Sequence, residues 1–234
     1  MNNFASVKAL LVDIDDTIVR FKPSWKAQPN TGSLFHVLQR AGVELGGLPA
    51  EEAAARIEKI KTGMTWWHWS DYIVALGLSP KRFWDFAYEI ESHYLEPTGP
   101  ELAGAFERIR NAGYLLYITS NNPSSGILHK LRLAGLGHVK GCPLFTQLLG
   151  ATELQSMKWE QIYWKKALAH IAHDADEVAV VGDSVRDDYE FPHSVGIPFS
   201  FIVNRTEDLT AKSTDSLIYV TDFNQIAKHL LNGR

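Results

Sequence analysis

The sequence is poorest in cysteine: Cys142 is the single one among 234 residues. A lone cysteine excludes an internal disulfide and fits a reducing compartment. Excess positive charge is also missing. Lys and Arg number 23 against 27 Asp and Glu, a formal net charge of −4, which leaves no basic footprint for nucleic acid. An acidic chain can still take an anionic substrate if a metal ion supplies local positive charge. No apolar run is long enough to span a bilayer, and the stretch from Val7 is broken by Asp13 and Asp15. The N-terminal segment shows no basic stretch, signal-like apolar run or small-residue cleavage site. Internal repeats and low-complexity tracts are absent. These absences set the expectation of a cytoplasmic protein with neither membrane nor nucleic-acid partner. What is present is an ordinary globular mixture, 45% apolar and 21% charged, able to bury a sizeable core.

The distribution of those residues predicts two regions. Val7 to Val12 is short, apolar and rich in β-formers, which reads as a buried parallel strand. From Arg20 to Glu96 the pattern is helical: strong helix formers over Ala50 to Ile60, an aromatic, partly periodic stretch over Trp66 to Leu76, and helical spacing over Pro80 to Tyr94. After Pro97 the character reverts. Strands are expected over Tyr114 to Thr119, Leu144 to Leu149, Glu177 to Val181 and Pro198 to Val203. Helices are expected over Glu101 to Asn111, Ser124 to Ala134, Trp159 to His173 and Phe223 to Leu231. Strands alternating with helices predict an α/β fold with a doubly wound parallel sheet. The domain division expected is 1–19 with 97–234 as the core, and 20–96 as an inserted helical domain.

Ligands of an open parallel sheet bind beyond the carboxyl ends of its strands. Three predicted strands end in polar clusters: Asp13-Ile14-Asp15-Asp16-Thr17, Thr119-Ser120-Asn121, and Gly182-Asp183 followed by Asp187-Asp188. Four or five carboxylates on one rim repel one another. A hard divalent cation resolves that conflict, and Mg²⁺ is the usual choice where phosphate is also bound. Asp13 and Asp15, two apart on an extended segment, share a face at roughly 6–7 Å between Cα atoms. One can attack a phosphorus while the other handles a proton.

These residues resemble the haloacid dehalogenase superfamily, whose phosphatases carry Asp-x-Asp-x-Thr after the first strand, here Asp13, Asp15 and Thr17. A Ser or Thr ending the next core strand is matched by Ser120, with Thr119 as the rival. The Gly-Asp-x-x-x-x-Asp motif is matched by Gly182, Asp183 and Asp188, with Asp187 fitting a shorter spacing. The family's lysine is matched by Lys158, although Trp159 stands where close relatives often have proline; Lys165 and Lys166 lie further along the same predicted helix. The helical insertion resembles the cap of the phosphoglycolate phosphatase and β-phosphoglucomutase branch.

The resemblance implies a Mg²⁺-dependent phosphatase acting on a small phosphorylated metabolite. In that reading Asp13 is the nucleophile and Asp15 the general acid–base. Ser120, Asn121 and Lys158 serve the phosphoryl group, with Thr17 and Asn121 as supports. The metal set is the Asp13 carboxylate, the Asp15 backbone carbonyl, Asp183 and Asp188. Dehalogenases of the superfamily lack the second aspartate, so Asp15 argues against carbon–halogen chemistry. Asp16 receives no role and reads as a local or surface charge. Two other readings stay open: a phosphomutase with the same core residues, and a non-catalytic binding or regulatory module on the same fold. The run Thr65-Trp66-Trp67-His68-Trp69 reads as packing within the helical region or as an aromatic wall facing the leaving group. His36, His93, His129 and His193 lack metal-ligand spacing.

Overall fold

The computed structural model describes residues 4–23, 34–62, 68–139, 142–205, 207 and 209–232. The chain divides into two compact units, Met1–Val19 with Pro97–Arg234, and Arg20–Glu96.

The discontinuous unit is built on six parallel strands: β1 Ala9–Val12, β2 Leu115–Ser120, β3 Gln147–Gly150, β4 Val178–Gly182, β5 Phe199–Val203 and β6 Leu217–Val220. Their spatial order is β6-β5-β4-β1-β2-β3, an α/β arrangement with β1 at the centre. Register is tight there: Val12 stands opposite Ile118 on one side and Val181 on the other. All four residues of β1 and all five of β4 are buried, which explains their unbroken apolar runs. Alternate residues face opposite layers. Ala9, Leu11, Tyr117, Val178 and Val180 pack with Tyr163, Trp164 and Ala167 of the helix Gln161–Ile171. Elsewhere in the unit the helices Leu102–Asn111 and Phe223–Asn232 meet through Phe106 and Phe223, ring centroids 4.7 Å apart. Tyr114 ties that layer to the sheet by donating to the Leu230 carbonyl at 3.0 Å.

Most expected elements form within two or three residues of their expected bounds. β6 was not foreseen; its Leu-Ile-Tyr-Val run is a strand signal, but four residues at a sheet edge weigh little beside the polar stretch before them. The third strand is also shorter than expected, starting at Gln147 rather than Leu144.

The second unit is helical: Leu34–Glu44, Ala50–Lys61, Trp69–Ala75 and Pro80–Tyr94. The first of these was not singled out by the sequence. Pro80 opens its helix after Ser79, whose Oγ accepts from the Arg82 amide, a sequence-encoded start. Trp69 is buried and packs on Phe35 and Tyr72 at 5.0 and 5.9 Å between centroids. For Trp69 the aromatic run is therefore core of this unit, whereas Thr65, Trp66 and Trp67 lie outside the described residues. His68 Nδ1 lies 3.5 Å from the Asp71 carboxylate. Two short paired strands, Val19–Phe21 and Leu95–Pro97, mark where the chain passes between units.

Candidate active site

Three strand ends and one loop build the site. β1 stops at Val12, and Asp13 continues the ladder for one bond, donating its amide to the Val181 carbonyl at 2.8 Å. The chain then turns: the amides of Ile18 and Val19 both bond the Ile14 carbonyl, and Asp16 takes φ 53°. The left-handed region is open to aspartate at modest cost. Arg205, just past β5, donates to the Asp16 and Thr17 carbonyls at 3.0 and 3.1 Å, so the turn is held from outside.

β2 delivers Ser120, Asn121 and Asn122. The Ser120 amide donates to Tyr163 Oη at 2.9 Å, and Tyr163 donates to the Leu149 carbonyl at 2.5 Å. Of the two candidates here, Ser120 lines the cleft. Thr119 is buried, and its hydroxyl has no hydrogen-bond partner among the described residues.

β4 ends on Gly182, where an added Cβ would overlap the Asp188 carboxyl group. Glycine here is what lets Asp188 turn back toward the strand end. A π-helical turn, Arg186–Glu190, carries Asp187 and Asp188. Asp188 is fully buried, and its Oδ2 accepts from the Ser184 amide at 3.1 Å. Asp187 is only half-buried on the cleft wall, so of the two spacings the buried position belongs to Asp188.

Lys158 is held at both ends of its peptide. Its amide donates to Asn121 Oδ1 at 2.8 Å, and its carbonyl accepts from Trp164 Nε1 at 2.8 Å. Its buried ammonium lies 2.6 Å from Asp13 Oδ1 and 2.6 Å from Asp188 Oδ1. Lys165 is exposed, and Lys166 donates to the Leu154 carbonyl.

The result is a cleft of about 170 Å³ lined by Asp13, Asp15, Ser120, Asn121, Lys158, Asp183 and Asp188. Asp16 and Asp187 also line it, so Asp16 belongs to the cleft wall and is not merely a local surface charge. One carboxylate oxygen from each of Asp13, Asp183 and Asp188 falls within 4.8 Å of the others. The Asp15 carboxylate stands outside that trio. It accepts instead from Lys130 Nζ and Asn122 Nδ2, both at 2.5 Å. Neither Lys130 nor Asn122 was singled out by sequence, and neither were Tyr163, Trp164 and Arg205.

The electrostatics are those of crowded carboxylates. Burial pushes Asp13 well above the usual carboxylate range; Lys158 opposes this, while Asp188, Asp183 and Asp15 add to it. Burial also pushes Asp183 up to about 7, with Asp188 the next cause, although the residue as a whole is exposed at the mouth. Burial alone would lower Lys158, but Asp13 and Asp188 outweigh it and hold the ammonium protonated. One ammonium inside the trio leaves negative charge uncompensated. Hard oxygen donors carrying excess charge around a shared point suit a divalent cation, so these residues fit Mg²⁺.

The family model for haloacid dehalogenase-like hydrolases matches residues 7–196. No curated protein matches the chain. Among solved structures, a HAD phosphatase from Thermococcus onnurineus is similar at 23% identity and TM-score 0.64, covering 96% of this chain and 98% of that one. An L-2-haloacid dehalogenase from Xanthobacter autotrophicus, with chloropropionic acid covalently bound, is similar at 16% identity and TM-score 0.60, covering 97% and 99%. A HAD-hydrolase from Bacillus subtilis bound to magnesium is similar at 17% identity and TM-score 0.54, covering 96% and 98%. Likeness at these identities speaks to the fold.

Proposed function

The chain belongs to the haloacid dehalogenase-like hydrolases, and from that premise we propose that it is a Mg²⁺-dependent phosphatase of a small phosphorylated metabolite. The observation that carries this reading is Asp15. A second carboxylate lines the same cleft two residues beyond Asp13, where a leaving alkoxide needs a proton and an attacking water must lose one. Halide leaves without a proton, so carbon–halogen cleavage gives Asp15 no leaving group to protonate.

In this mechanism Asp13 attacks the phosphorus, forming an Oδ–P bond as the bond to the leaving oxygen breaks. Asp15 protonates that oxygen and then takes a proton from the water that hydrolyses the aspartyl-phosphate. Ser120 and Lys158 hold the phosphoryl oxygens, and Lys158 balances the charge that builds there. Asn121 acts one step back, fixing the Lys158 peptide. Mg²⁺, when bound by Asp13, Asp183, Asp188 and the Asp15 carbonyl, supplies positive charge to the nucleophile and the transferring group. Substrate choice is assigned to the helical unit, 20–96, as the cap.

The reading is tested by phosphate release from phosphoglycolate, sugar phosphates and nucleoside monophosphates, with Mg²⁺ and with EDTA. We expect Mg²⁺-dependent release by the wild type and none by Asp13→Asn. Release by the variant at the wild-type rate would remove Asp13 from the chemistry. No release by the wild type, with phosphoryl exchange between sugar phosphates instead, would make the protein a mutase.

A further inference from the structure

Lys130 sits on the helix Ser124–Leu133, far in sequence from the aspartates, yet its side chain is only 6% exposed. A lysine so buried is rare unless paired. Its ammonium donates to Asp15 Oδ1 at 2.5 Å and to Asn122 Oδ1 at 3.3 Å. Asn122, itself buried, uses its amide nitrogen twice, on Asp15 Oδ2 at 2.5 Å and on Ser120 Oγ at 3.0 Å. Its backbone amide also donates to Ser120 Oγ at 3.0 Å. Both oxygens of the Asp15 carboxylate are thus held, one by a cation and one by an amide, and the two holders touch each other. The chain of contacts runs on to Ser120.

The strand-end backbones have other fixings as well, from the sheet, Tyr163 and Arg205. The Asp15 carboxylate also lies outside the trio of Asp13, Asp183 and Asp188 whose oxygens share one point. Asp15 is half-exposed and without these two contacts would sample several rotamers. Proton transfer needs the group within hydrogen-bond reach of one atom, and a displacement of about 1 Å costs on the order of 10²-fold.

We propose that Lys130 and Asn122 are positioning residues for proton transfer by Asp15, aligning it with a phosphoryl group held at Ser120. The inference rests on the phosphatase reading. It predicts that losing either residue slows substrates in proportion to how much their leaving oxygen needs a proton. A purely structural role would slow all substrates alike.

Phenyl phosphate and p-nitrophenyl phosphate differ little in shape, but phenolate is the more basic leaving group. Steady-state kinetics on both are compared for the wild type, Lys130→Met, Lys130→Arg, Asn122→Ala and Asp15→Asn. In Lys130→Met and Asn122→Ala, kcat/KM for phenyl phosphate, which reports the step in which the leaving oxygen departs and not the later hydrolysis of the aspartyl-phosphate, is expected to fall on the order of 10²-fold. For p-nitrophenyl phosphate kcat/KM should fall several-fold at most. Asp15→Asn should show the same selectivity, and Lys130→Arg should recover part of the loss. If Lys130→Met does not fold, Asn122→Ala, which keeps the lysine, carries the test. Equal losses in kcat/KM on the two substrates, or none, overturn the inference while leaving the phosphatase reading intact. A wild type that cleaves neither of these, nor any ester of the phosphate-release panel, overturns both.

Discussion

At the scale of single residues, the site depends on charges that burial makes costly and neighbours make tolerable. Lys158, buried at the floor of the cleft, bridges Asp13 and Asp188, and removing one member of such a set costs about 3–5 kcal/mol because a charge is left alone. His129 shows the same physics outside the cleft. Burial first, then Lys130 and Arg132, lower it from 6.5 to about 4. It is therefore neutral in the fold, while the unfolded chain takes up a proton below 6.5. Its contribution to stability is intact above that pH, declines as pH falls from 6.5 toward 4, and levels off below. Melting temperature followed from pH 7 to pH 4 should fall less steeply in His129→Gln than in the wild type; identical slopes would show that His129 does not titrate in this window. The residue scale is also where sequence reading had most and least reach. Asp13, Asp15, Asp183 and Asp188 could be chosen because they follow strand ends, where topology brings chemistry together. Lys130 could not, because a lysine on an amphipathic helix reads as solvated, and only the folded chain brings it to Asp15 across 115 positions.

At the scale of elements, the sheet fixes the rim and helices fix what stands on it. The strands with unbroken apolar runs, β1 and β4, were legible because burial on both faces leaves no polar alternation. What escaped was set by tertiary packing: the edge strand β6, the helix Leu34–Glu44, and the π-helical turn that swings Asp188 over Gly182. That turn carries a prediction. In Gly182→Ala the added methyl collides with the Asp188 carboxyl, so Asp188 must leave Lys158. Overpacking of this kind costs about 1–3 kcal/mol. The variant should melt below the wild type and should also lose most of the Tm gain that Mg²⁺ binding to the trio predicts for the wild type in millimolar Mg²⁺. A wild-type melt with an unchanged Mg²⁺ response would mean that the turn yields freely and Asp188 is not fixed by glycine. The helix Gln161–Ile171 has a comparable duty, since Trp164 and Tyr163 on adjacent positions reach Lys158 and Ser120 respectively.

At the scale of the whole molecule, one unit contains every residue assigned to chemistry, and the other, 20–96, is assigned the choice of substrate. The fold alone does not separate phosphate from halide chemistry, since a phosphatase and a dehalogenase resemble this chain about equally, with TM-scores of 0.64 and 0.60. The distinction falls to Asp15 and the residues that hold it. The most direct test of the central claim is to look for the phosphoryl group on Asp13. The wild type, mixed with a ³²P-labelled phosphomonoester that it cleaves and quenched in acid within milliseconds, should carry label that survives acid and is released by hydroxylamine, as an acyl phosphate is. The label should require Mg²⁺, map to the peptide containing Asp13, and be absent from Asp13→Asn. Turnover of that ester with no labelled protein at any quench time, or label equal in Asp13→Asn, would contradict the account.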